Sequence, residues 1–148
     1  MKETFPISDE MVYDRIVPDD CSFLREELGF QIIETLWSES FGGDALVVLA
    51  TEGLQVRFVR DRGQLFFDLR PDGTEKWYSI DLVRALIRGR KAFHAIMDKE
   101  NAGFVRDHFQ QILQLISPER VNDTTEKLEK LKRSRMKMES PHWRSRKT

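Results

Sequence analysis

The chain has 148 residues, 40% hydrophobic, 10% aromatic and 33% charged, which suits a single domain with a real core and excludes a fibrous or wholly disordered polymer. Its net charge is −1, but from Arg120 onward ten Lys/Arg meet four Asp/Glu (+6), leaving 14 basic and 21 acidic residues (−7) in the rest, so an acidic body carries a basic tail. The longest unbroken apolar run, Ala45 to Ala50, is too short to span a bilayer, and the N-terminus carries no charged-then-apolar signal pattern, so no membrane role is expected.

Ser8 followed by Asp9 and Glu10 marks a helix start, because an N-cap oxygen and early acids satisfy free amides and the dipole. Met11, Val12, Ile16 and Val17 form its apolar stripe, and Pro18 stops it. Asp19 or Asp20 caps a second short helix, Cys21 to Leu28, closed by Gly29. From Phe30 the period changes. Phe30 to Trp37 is rich in Ile, Thr and aromatic residues and predicts a strand, and Gly42-Gly43 predicts a turn. Ala45 to Ala50 reads as a central strand. Leu54, Val56 and Phe58 alternate with Gln55 and Arg57, and Leu65, Phe67 and Leu69 alternate with Phe66, Asp68 and Arg70, giving two half-buried strands joined at Asp61-Arg62-Gly63. Short connections make a four-stranded antiparallel meander over residues 30–70 the economical solution.

The period then becomes helical. Ser79 caps a helix with Leu82, Val83, Leu86 and Ile87 on one face, ended by Gly89. Phe93, Ile96 and Met97 predict one or two further turns. Phe104, Val105, Phe109, Ile112, Leu113 and Ile116 make the strongest amphipathic helix, and Pro118 suits the first position of the next. Val121, Leu128, Leu131 and Met138 fall on a rough heptad frame, with Thr124 and Arg135 in the other slots, so this helix needs a partner surface. Disorder is expected from Ser140. The expectation is an α+β domain over residues 1–119, the sheet covered by the helices at 79–116, and a helical to disordered basic tail over 120–148.

Chemistry leaves few marks. Cys21, the only cysteine, lies in Cys-Ser-Phe-Leu without a catalytic motif; an idle thiol in a reducing, cytoplasmic setting is the expected state. No Gly-x-Ser-x-Gly elbow, HExxH or paired-Cys spacing occurs. His94 and Asp98 are four apart and read as a surface pair. Gly42-Gly43 lacks the lysine and helix of a phosphate loop. Asp68 is the most interesting carboxylate, yet its strand position predicts exposure. No catalytic residue, cofactor or metal is therefore expected, although an unmarked carboxylate site remains a third reading.

Two binding surfaces compete. Lys130, Lys132, Arg133, Arg135 and Lys137, then Trp143, Arg144, Arg146 and Lys147, can neutralise phosphates and stack on a base, against an acidic body that repels nucleic acid. Trp37, Phe41, Trp77 and Tyr78 flank turns; such aromatics either anchor a protein partner or fold back as lids on the core. Self-association through the Leu128/Leu131 helix is a further option.

The line Leu46-Val47-Val48-Leu49-Ala50, Leu54 through Gly63, then Trp77-Tyr78 leading a helix resembles small bacterial α+β proteins, some of which look like immunity proteins of toxin systems. The resemblance covers about half the chain and rests on pattern. It implies a non-enzymatic protein that occludes a toxin domain, and an acidic body suits a basic nuclease partner.

Overall fold

The computed structural model describes residues 7–39, 43–89 and 94–139. The chain is α+β, with a five-stranded antiparallel sheet whose strands lie in sequence order. Helix α1 (Asp9–Ile16) starts where Ser8 Oγ accepts the Met11 N–H at 3.2 Å. The predicted second helix is broken: a 3-10 turn at Asp19–Cys21 precedes α2 (Phe23–Glu26), which is a single turn. The Phe30 N–H then closes back on the Leu24 carbonyl at 2.9 Å.

Strands β1 (Gln31–Ser38), β2 (Asp44–Thr51), β3 (Leu54–Asp61) and β4 (Gln64–Pro71) form the expected meander. The β3–β4 hairpin turns on Arg62 (φ 53°) and Gly63 (φ 82°), both left-handed, which matches the twist of the flanking strands. A fifth strand, β5 (Tyr78–Ser79), pairs with Asp68 and Leu69 and corrects the count of four. Two residues carry no readable alternation, so only tertiary pairing defines it.

Helix α3 (Ile80–Arg88) ends at Gly89, as its pattern predicts. No further helical turn follows at Ile96–Met97: Ile96 bridges to Phe66, and the Met97 N–H donates to the Leu65 carbonyl at 2.7 Å. Phe93 lies outside the described residues. Asn101, fully buried, fastens this segment. Its amide donates to the carbonyls of His94 (3.1 Å) and Ile96 (2.7 Å) and accepts from Arg84 Nη1 (2.7 Å). Helix α4 (Lys99–Leu115) is capped by Asp98 and kinks at His108, whose ring stacks on Phe104 and contacts its carbonyl. Pro118 does not open the last helix. It sits in a turn closed on the Ser117 carbonyl, and α5 (Val121–Glu139) begins three residues later.

One apolar cluster joins the sheet to α1, α3, α4 and α5. Val47, Leu49, Leu54, Phe58 and Phe67 are fully buried, with Phe58 and Phe67 edge to face at 4.9 Å. The cover is thus more than the helices that follow the sheet, since α1 also packs over β1 and β2. Helix α5 supplies Leu128 to the cluster, so the boundary expected at 119/120 falls between two helices of one packed unit.

Candidate functional site

Strand parity sends Thr35, Val47, Phe58 and Phe67 to the helix-bearing face and their neighbours to the other. On that other face the register lines up Leu36, Leu46, Val59 and Phe66 across four strands. None of the four belongs to the core cluster. Leu36 is 59% exposed and the others are half-buried. The adjacent row runs Glu34, Val48, Arg57, Asp68, Ser79. An apolar row therefore lies beside a charged one, on a face whose one buried apolar residue among these two rows, Val48 at 3% exposed, stands outside the main core cluster.

Trp77 belongs to this open face. The Arg57 and Arg70 guanidinium carbons lie 4.4 and 5.2 Å from its ring centroid. Arg57 Nε donates to Asp68 Oδ2 at 2.7 Å, and Arg70 Nη2 donates to Gln55 Oε1 at 2.7 Å. Arg70 Nε is buried and without a hydrogen-bond partner among the described residues. Asp68 was expected to be exposed; its side chain is 13% exposed because Arg57 lies against it. Stacked guanidinium groups keep a planar fork of donors suited to carboxylates, and the apolar row beside them supplies area to bury. Sequence reasoning missed Arg57, Arg70 and the apolar row. The available signal was Val59 next to Phe58, and Phe66 between Leu65 and Phe67: apolar residues at positions that alternation assigns to solvent.

The three predicted aromatic anchors among the described residues, Trp37, Trp77 and Tyr78, do not share a surface. Trp37 is half-buried on the helix-bearing face, between Arg15 (5.2 Å) and Arg60 (5.9 Å), with its indole nitrogen buried and unbonded among the described residues. Small Ala45 separates Trp37 from Arg60 in the register. Gly43 is required there, because at φ 110° a Cβ would lie 2.7 Å from Arg60 and 3.1 Å from the indole. Tyr78 is buried, its phenol donating to Glu129 Oε2 at 2.7 Å. Phe41 lies outside the described residues.

The basic positions also divide. Lys130 and Arg133 are exposed on α5 and Lys132 is half-buried. Arg135 turns inward: Nη1 donates to Asp81 Oδ2 (2.5 Å) and Ser79 Oγ (2.8 Å), while the Ser79 hydroxyl donates to Asp81 Oδ1. The Lys137 side chain, and Trp143, Arg144, Arg146 and Lys147, lie outside the described residues. The heptad face of α5 rests on the body. Thr124 donates to the Leu115 carbonyl at 2.6 Å, Leu128 is buried and Leu131 packs against the core.

Burial pushes the Cys21 thiol up to about 12, so it stays protonated at neutral pH. A shallow groove beside β5 holds Glu75, Lys76, Tyr78, Glu126 and Glu129. The Tyr78 phenol, with Lys76 nearby, holds the Glu129 carboxyl below the usual range, making it an ionised acceptor rather than a proton donor. His94 Nε2 lies 3.1 Å from Asp98 Oδ2, and Asp98 also caps α4. Among the described residues no group of three His, Cys, Asp or Glu is placed to hold a metal, and no helix is long and apolar enough to cross a membrane. Compared with known proteins, the chain matches no protein-family model, no curated protein and no solved structure.

Proposed function

We propose that the chain is a non-enzymatic, immunity-like protein-binding module of the cytoplasm, and that its contact surface is the open sheet face. The observation that carries this reading is the row Leu36, Leu46, Val59, Phe66, which lies outside the core beside Trp77 and its two arginines. Tryptophan and arginine dominate the energetics of protein interfaces when surrounded by apolar contacts that exclude water. The acidic body favours a basic partner domain. A nucleic-acid role would draw on Lys130 and Arg133 but not on Arg135, which is engaged with Asp81.

The test is affinity capture from the native host, with and without nuclease, using the wild type, Val59→Glu and Trp77→Ala. The expected result is one protein in stoichiometric amount, resistant to nuclease and lost from both variants while their unfolding midpoints stay near wild type. A partner retained by Val59→Glu, or recovery of nucleic acid alone, overturns the proposal.

A further inference from the structure

The sheet has two edges, and they are treated differently. Beyond β4, one half of the edge is taken by β5 and the other by Ile96 and Met97. β5 is two residues long, and α5 places Glu129 on Tyr78 and Arg135 on Ser79. β1 is eight residues long and is paired on one side only, by β2, among the described residues. It contains no Lys, Arg or Pro, the residues that usually blunt an edge, and a single acid, Glu34. The large apolar residues most exposed among those described are Met11, Ile33 and Leu36, two on β1 and one on the helix that packs over it.

We propose that β1 pairs antiparallel with β1 of a second copy, about a two-fold axis at Leu36, so that two sheets join into one of ten strands. The strand itself selects this occupant. A register irregularity between Ile32 and Glu34 leaves Glu34–Ser38 as the regular segment, and Leu36 is its midpoint. A two-fold there places Leu36 against Leu36 of the second copy, Thr35 against Trp37 and Glu34 against Ser38. Each pair joins residues of the same sheet face, and no two like charges meet. The Leu36–Leu46–Val59–Phe66 row then runs unbroken across both copies. Centring on Thr35 would force the irregular Ile33 into the ladder, and centring on Trp37 would shorten it to three residues. A five-residue pairing is small beside the roughly 1,600 Å² of a stable interface, so the dimer is weak, with a dissociation constant on the order of 100 µM.

The proposal is tested on the purified full-length chain alone, which keeps it distinct from capture of another protein. Sedimentation over a concentration series should show the mass rising from 17.5 kDa toward twice that value. Leu36→Lys, a change at an exposed site, should weaken association by about tenfold or more without lowering the unfolding midpoint. Under oxidation, Leu36→Cys should form a disulfide-linked dimer, since directly opposed Cβ atoms lie about 4.5–5.5 Å apart. Gln31→Cys, exposed on the same strand, should not, because its two copies would be roughly 30 Å apart. The native Cys21 is buried and does not compete. A single-chain mass throughout the series, undiminished association of Leu36→Lys, or equal cross-linking of Gln31→Cys overturns it.

Discussion

Tyr78 shows how a residue's role depends on which face its strand presents. The pattern places it at the end of a loop, beside Trp77, and both aromatics read as anchors. Two residues of strand pairing send Tyr78 into the core and Trp77 to the open face. The buried phenol needs an acceptor and finds Glu129, 51 positions away. Tyr78→Phe removes that bond and should cost about 1 kcal/mol at pH 7. The Glu129 carboxyl is held below its ordinary 4.5 in the folded chain, so its contribution is present above the unfolded value and is lost as pH falls through the folded one. Urea midpoints of wild type and Tyr78→Phe should therefore differ at pH 7 and converge below pH 4.5. A gap that persists at pH 3 would assign the cost to packing. The Ser8 cap and the Gly63 turn were legible from the sequence because each acts within a few neighbouring residues. The Tyr78–Glu129 bond was not, because its partner lies on another element.

Helix α5 is the element whose meaning changed most. Its heptad frame is readable, and its two polar slots, Thr124 and Arg135, weaken a coiled-coil reading. Both slots have specific polar partners on the body: the Leu115 carbonyl for Thr124, and Asp81 with Ser79 for Arg135. The pattern states that the helix needs a surface but not that this chain supplies it. Leu128 is 3% exposed, and cutting it to Ala should cost about 2–5 kcal/mol. Asp81 is nearly buried while Arg135 is partly exposed, so Arg135→Ala should cost more than the double variant with Asp81→Ala, because the single change strands a carboxylate. Removing residues 120–148 should accordingly expose apolar surface to a hydrophobic dye. Equal denaturant midpoints for wild type and Leu128→Ala would show that α5 does not contribute to the core.

At the scale of the whole molecule the sheet has one face packed into the core cluster and one whose row Leu36, Leu46, Val59 and Phe66 stays outside it. The α+β class and the meander were legible because strand alternation and hairpin turns are local; the open apolar row was not, because it exists only once four strands are in register. Adjacent residues on β3 separate the two faces. Phe58 is fully buried against Phe67, whereas Val59 is half-buried in the row outside the core. Phe58→Ala should cost about 3–5 kcal/mol, and Val59→Ala at most about 1.5 kcal/mol. Binding should respond in the reverse sense. Val59→Glu should abolish partner capture at nearly unchanged stability, while Phe58→Ala, wherever it stays folded, should retain it. Unfolding midpoints and capture, measured on the same preparations, decide the matter. If Val59→Ala proved as costly as Phe58→Ala, the open face would be a second core and no surface for a partner would remain there. Separate effects on stability and binding would establish that strand parity divides this sheet into a scaffold and a contact surface.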